Sequence, residues 1–119
     1  MVTSNEEITM KVTVYHKDFD TSAFTRVAEV FAEGITDEKQ ACEYAYRWTQ
    51  NIADSWSHPQ GVADKNENVV IVGELPVRGG KTFGLRSSMM GDRMYCGNGE
   101  VYEVAMCGFD ILPTLEDVA

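Results

Sequence analysis

The sequence predicts a small α+β domain, in which an antiparallel sheet carries one main amphipathic helix packed on one face. Two patterns predict the sheet. β-branched and aromatic residues alternate over 10–16, and apolar segments flank the turn at 97–100. One pattern predicts the helix, because apolar residues recur at three- and four-residue spacing after Asp37. We expect the single domain to span residues 10–112.

The first predicted strand covers residues 10–16, with the sequence Met-Lys-Val-Thr-Val-Tyr-His. Met10 is also a candidate for the natural start of the protein, and we expect residues 1–9 to form a flexible N-terminal arm. Residues 24–33 fit both helical spacing and one face of a strand. The strand is favoured because the first strand otherwise has no hairpin partner.

The helix is predicted over residues 37–51. Asp37 can cap its first turn, and Gln40 can return the hydrogen bond as in a capping box. The apolar stripe of the helix consists of Ala41, Tyr44, Ala45, Trp48 and Ile52. The predicted core of the domain consists of Tyr44, Trp48, Ile52, Val70, Val104 and Phe109.

After the helix, the polar residues 53–68 indicate a loop, and residues 69–72 indicate a short buried strand. Prolines and glycines between 76 and 84 predict an irregular segment. Residues 93–96 and 101–106 then flank Gly-Asn-Gly-Glu, which favours a tight β-hairpin. Residues 113–119 are expected to form a C-terminal tail.

Charge and composition exclude several classes of function. The formal net charge is −9, with 10 Lys and Arg against 19 Asp and Glu, which disfavours nucleic-acid binding. No apolar run approaches the roughly 20 residues that cross a bilayer, so we expect no membrane association. Residues 1–9 lack the basic start and apolar stretch of a secretory signal, which predicts a cytoplasmic protein. Its three cysteines show no CxxC spacing and are expected to be free, mostly buried thiols.

No motif indicates a reaction. Six residues separate Gly73 from Gly80, whereas a phosphate-binding loop needs four, and Pro76 removes a backbone donor. His16 and His58 are the two histidines, and neither stands in a metal-ligand spacing. We therefore expect no metal, no cofactor and no catalytic residues, although a small enzyme stays open as an alternative.

Six residues are candidates for a binding site: Trp56, His58, Arg86, Ser87, Ser88 and Asp92. Trp56 lies in a polar loop, where it either plugs the edge of the sheet or forms a binding surface; the plug is favoured. Arg86 and Asp92 flank two serines whose hydroxyls can satisfy backbone groups. This segment fits a structural clasp, which is favoured, and also a binding loop.

Two phrases carry a resemblance to a known group of proteins. Thr49-Gln50-Asn51 followed by Ser55-Trp56-Ser57 stands before Arg86-Ser-Ser-Met-Met-Gly-Asp92, and a hairpin closing in Gly108-Phe109 follows. The chain resembles, over residues 40–110, a group of small, uncharacterised accessory proteins of tailed bacteriophages and mobile elements. Met89 departs from that pattern, which has a small polar residue before Gly-Asp. The resemblance implies a setting in the host bacterial cytoplasm and no particular reaction.

Three functions follow as hypotheses. The first is a non-enzymatic accessory protein that binds a host or phage protein, with inhibition of a host system as one form of this role. The second is a small-ligand binder or small enzyme that uses residues 75–93. The third is a minor structural or assembly component.

Overall fold

The computed structural model describes residues 9–97 and 99–112. Its elements are β1 (Met10–Lys17), β2 (Phe24–Ala32), α1 (Glu38–Arg47), β3 (Val69–Ile71), β4 (Val77–Arg78), β5 (Lys81–Thr82), β6 (Arg93–Cys96), β7 (Val101–Val104) and β8 (Phe109–Leu112). The expected arm, apart from Thr9, and the expected tail lie outside the described residues, as does Asn98 of the predicted turn.

Six strands form one antiparallel sheet in the order β3-β2-β1-β6-β7-β8, and β4 pairs with β5 in a separate hairpin. The predicted combination of antiparallel sheet and helix is therefore present. Because α1 is the one helix in the described part of the chain and has ten residues, the domain is mostly β.

The centre of the sheet is β1, which pairs with both β2 and β6. Its alternating sequence buries Val12, Val14 and His16 on one face, as period-two patterning requires. The ambiguous segment 24–33 forms β2, which confirms the strand interpretation. Register in the first hairpin shifts between Val14, which pairs with Ala28, and Tyr15, which pairs with Arg26, so Val27 is the extra residue of a bulge in β2.

The helix begins where the sequence predicts and ends early. Asp37 caps it by accepting the Gln40 backbone N–H at 3.0 Å. Arg47 is the last helical residue, and the Thr49 hydroxyl then donates to the Ala45 carbonyl oxygen at 2.8 Å. This bond satisfies a carbonyl that helix termini leave without an N–H partner, so the chain can turn away.

The predicted core is correct in part. Val104 is buried, Tyr44 and Phe109 pack against the core while partly exposed, and Trp48 is half-buried. The prediction that Ile52 belongs to the core is wrong. Its side chain is 66% exposed, because the helix ends five residues before it. Val70 is also wrong at 46% exposed. It lies in β3, which is an edge strand of three residues and not the fully buried strand expected at 69–72.

Small side chains bring α1 close to the sheet. Ala41, Cys42 and Ala45 are its buried residues, and they lie over β1, β2 and β6. The predicted hairpin of residues 93–106 is confirmed as β6 and β7, with Met94 opposite Tyr102, although its second strand ends at Val104 instead of Met106. No helix among the described residues is long and apolar enough to cross a membrane.

Trp56 is the largest fully buried side chain, with 1% of its surface exposed. Its indole N–H donates to the Arg86 carbonyl oxygen at 2.9 Å, and its ring meets His16 edge-on with centroids 6.2 Å apart. Burial of Trp56 agrees with the plug interpretation and not with a binding surface, although the ring packs against the central strand β1 and not against an edge strand.

The two tryptophans make this placement testable. Trp56→Phe should lower the free energy of unfolding by about 2 kcal/mol, because the Arg86 carbonyl then loses its buried donor. Trp48→Phe is the matched control and should cost less, since Trp48 is half-buried under the Arg47 guanidinium, 4.1 Å from its ring. Urea denaturation of both variants checks this. Equal losses would contradict the assignment.

Candidate functional site

The carboxylate of Asp92 is the centre of the predicted polar cluster. It is 0% exposed and lies within 2.8 Å of both terminal nitrogens of Arg86. It also accepts the backbone N–H groups of Lys17 and Met89, each at 2.8 Å. A buried carboxylate with a bidentate guanidinium and two amide donors is fully satisfied.

Arg86 also binds backbone on either side of this pair. Its terminal nitrogens donate to the carbonyl oxygens of Ser87 and Lys17, each at 2.9 Å. The guanidinium carbon lies 5.4 Å from the centre of the Phe19 ring. These bonds join residues 86–92 to the end of β1. We call residues 86–92 together with His16 and Lys17 of β1 the clasp.

The serines of the clasp are engaged with the end of the helix. The buried Ser88 hydroxyl lies 2.8 Å from the Thr49 hydroxyl, and the Ser88 carbonyl accepts from the Gln50 side chain at 2.8 Å. The Ser87 hydroxyl accepts the Asn51 backbone N–H at 2.8 Å. The structural interpretation of residues 86–92 is therefore the one that the geometry supports.

The two sequence segments that carry the resemblance, residues 49–57 and 86–92, contact each other. Besides the contacts of residues 49–51 with the serines, Trp56 donates to the Arg86 carbonyl, and the Ser57 hydroxyl accepts the Leu85 N–H at 2.6 Å. Gly84 allows this approach, because a Cβ there would collide with the Ser55 hydroxyl. In this fold, these hydrogen bonds hold residues 49–57 and residues 85–88 together.

His16 lies inside the clasp and is buried, with 7% of its surface exposed. Its Nε2 is 3.0 Å from the Ser88 hydroxyl and 3.8 Å from a carboxylate oxygen of Asp92. A catalytic triad needs the serine and the acid on opposite ring nitrogens. Here both approach Nε2, and Ser88 is buried, so this trio does not have the geometry of an activated nucleophile.

Burial lowers the pKa of His16 from its ordinary 6.5 to about 4. The Asp92 carboxylate acts in the opposite direction, and the Arg86 charge lowers the pKa further. The imidazole is therefore neutral at pH 7. It acts as a hydrogen-bonding member of the clasp.

His58 is separate from the clasp and half-buried. Its Nδ1 accepts the Gln60 backbone N–H at 3.1 Å, so the proton is on Nε2, which donates to the Thr82 carbonyl oxygen at 3.0 Å. The ring therefore attaches the loop after α1 to β5. Of the six candidate residues, four lie in the clasp, Trp56 packs beside it, and His58 stands apart.

Sequence reasoning missed a pair of carboxylates in the loop after the helix. One Asp64 oxygen accepts the N–H groups of residues 52, 53 and 54 at 2.6–2.7 Å. Asp54 in return accepts those of residues 62, 63 and 64 at 2.7–3.0 Å. These backbone bonds lower the pKa of both carboxyls and hold a loop without regular secondary structure. Their ten-residue separation matches no motif that a sequence search would use.

A cleft of about 600 Å³ lies beside the clasp and is the candidate site. It is bounded by the ends of β1 and β2 and by residues 73–86. Apolar surface in its lining comes from Val27, Pro76, Phe83 and Leu85. Charged lining residues are Lys17, Asp18, Glu74, Arg78 and Arg86, so both signs of charge are present.

No family model, curated protein or solved structure matches this chain. Within residues 9–97 and 99–112, no three His, Cys, Asp or Glu side chains are grouped so that they could hold a metal ion. The functional argument therefore depends on the cleft and the clasp themselves.

The clasp predicts a large effect of Arg86 on stability. Arg86→Ala should lower the free energy of unfolding by about 3 kcal/mol, because it leaves the buried Asp92 charge without its counter-ion. Arg78→Ala removes an exposed arginine from the same cleft and should change stability by less than about 0.5 kcal/mol. Urea denaturation measures both. A stable Arg86→Ala protein would favour the binding-loop interpretation instead.

The lowered pKa of His16 predicts an acid-dependent loss of stability. Between pH 6.5 and 4 the unfolded chain binds a proton at this residue that the folded chain does not, so stability falls as pH falls. The full loss is about 3 kcal/mol. His16→Gln should flatten the dependence of unfolding free energy on pH in this window. A wild-type slope in His16→Gln would refute the assignment.

Proposed function

We propose that this chain is a non-enzymatic binding protein that holds a segment of a partner protein in the cleft. The observation that carries the proposal is the arrangement of the lining. Val27 is buried and Leu85 is half-buried, whereas the charged Asp18, Glu74 and Arg78 are exposed. An apolar centre surrounded by a polar rim is the usual anatomy of a protein–protein interface.

Phe83 is the candidate contact residue at the cleft. It is 44% exposed, and the Arg78 guanidinium lies 5.8 Å from its ring centre. Aromatic and arginine side chains contribute most of the binding energy in many interfaces. Val77, in the same hairpin region, adds further exposed apolar surface at 64%.

We propose no catalytic role for Arg86 and His16, for a physical reason. Among the polar residues of the lining, Arg86 and His16 are both committed to bonds inside the protein. A general acid or base must be able to reach the proton that it transfers. These groups support the wall of the cleft, and the other lining residues contact the partner.

The partner should present an apolar side chain next to charges of both signs. Lys17 and Arg78 can pair with an acidic group of the partner, and Asp18 and Glu74 with a basic one. The resemblance to bacteriophage accessory proteins makes a host or phage protein in the bacterial cytoplasm the proposed class of partner. The net charge of −9 argues against nucleic acid in this role.

Affinity capture with matched variants tests the proposal. Tagged wild-type protein is compared with Phe83→Ala in the cleft and with Ile111→Ala, a similarly exposed apolar residue in edge strand β8. A stoichiometric partner should bind wild type and Ile111→Ala, and bind Phe83→Ala at least about tenfold more weakly. Loss of binding in Ile111→Ala alone, or no stoichiometric partner at all, would refute the cleft as the protein-binding site.

A small-ligand binder remains the second candidate, because the cleft volume lies within the range of small-molecule sites. The observation favouring it is the same mixed lining of apolar and charged residues. Native mass spectrometry of protein purified from bacterial cytoplasm distinguishes the two. A small molecule retained by wild type and lost from Phe83→Ala would favour the ligand, and its absence together with a captured protein would favour the partner.

A further inference from the structure

Cys42 and Cys96 bring two thiols together at the interface between the helix and the sheet. Cys42 lies in α1 and Cys96 ends β6, and their sulfur atoms are 3.6 Å apart. Cys42 is 0% exposed and Cys96 is 5% exposed. Neither thiol takes part in the clasp or lines the cleft.

We propose that this pair is an oxidation site, at which hydrogen peroxide converts the two thiols into an intramolecular disulfide that joins α1 to β6. The sulfur atoms already touch, and a disulfide bond of about 2.05 Å requires them to approach by roughly 1.5 Å.

The reaction balances with peroxide as the oxidant. The Cys96 thiolate attacks one peroxide oxygen, the O–O bond breaks, and the departing hydroxide takes up a proton to form water. The sulfenic acid left on Cys96 is then attacked by the Cys42 sulfur, which gives up its proton. The S–O bond breaks, and a second water leaves as the S–S bond forms. Two thiols thus supply the two electrons that reduce one peroxide.

Cys96 is the thiol that reacts first. The hydrogen bond between the two sulfurs lowers the pKa of Cys96 and raises that of Cys42, whose burial acts in the same direction. Burial of Cys96 and the carboxylates of Glu38 and Glu100 oppose the lowering. Cys96 also retains the exposure through which a molecule as small as peroxide can enter.

The third cysteine serves as an internal comparison. Cys107 is exposed in the turn between β7 and β8, and it follows the hairpin that contains Cys96. An exposed thiol forms intermolecular disulfides during oxidation, which would obscure the result. The experiment therefore uses Cys107→Ser as its parent protein.

Folded Cys107→Ser protein is treated with hydrogen peroxide, and its intact mass should fall by two hydrogen atoms. Non-reducing tryptic digestion should yield one cross-linked species. It joins the peptide of residues 40–47, released after Lys39 and Arg47, to the peptide that begins at Met94. Dithiothreitol should restore both the mass and the separate peptides.

The order of reaction is tested with a second substitution and with dimedone, a reagent that traps sulfenic acids. Cys42→Ser in this background should accumulate a dimedone adduct on Cys96, because no thiol remains to displace the hydroxide. Cys96→Ser should give no adduct. If Cys107→Ser keeps both thiols, or carries Cys96 to the sulfinic acid with no cross-link, the proposal is overturned. The peptide map of Cys107→Ser decides this even where a double variant fails to fold.

Discussion

The buried pair of Asp92 and Arg86 is the interaction on which the site depends. A carboxylate without solvent is stable only if opposite charge and donors surround it. Arg86 and two backbone N–H groups meet that requirement, and in doing so they fix residues 86–92 against the end of β1. Because the buried Asp92 carboxylate must be neutralised, one wall of the cleft has a fixed position.

The clasp also explains why the helix is short. Thr49 is buried because it bonds both to the Ala45 carbonyl and to the Ser88 hydroxyl. A continued helix would carry Thr49 and Gln50 away from the clasp. Helical propensity beyond Arg47 is weaker than these contacts, so the chain leaves the helix and Trp56 enters the core. Helix end, clasp and indole packing form one connected arrangement.

Local patterns predicted much of the sheet, and distant contacts account for what they missed. Alternation located β1, Asp37 located the start of α1, and the glycines located the β6–β7 hairpin, since each is a signal within a few residues. The burial of His16 depends on Ser88, which is 72 residues away. The clasp interpretation was available from Arg86, Ser87, Ser88 and Asp92, but the neighbouring cleft was not, because its lining comes from four separate stretches of chain, at 16–18, 25–27, 51 and 73–86.

Asp54 and Asp64 direct two of the acidic side chains of this protein at its own backbone. Asp64 turns inward, and both carboxylates receive several amide dipoles, so part of the formal charge of −9 is directed at the protein's own backbone. Because their pKa values are lowered, both carboxyls stay ionised, but their oxygens are occupied by backbone N–H donors. An inhibitor that imitates the phosphate array of DNA needs its carboxylates pointing outward in rows. In this protein the carboxylates of Asp54 and Asp64 instead accept hydrogen bonds from the backbone of a loop.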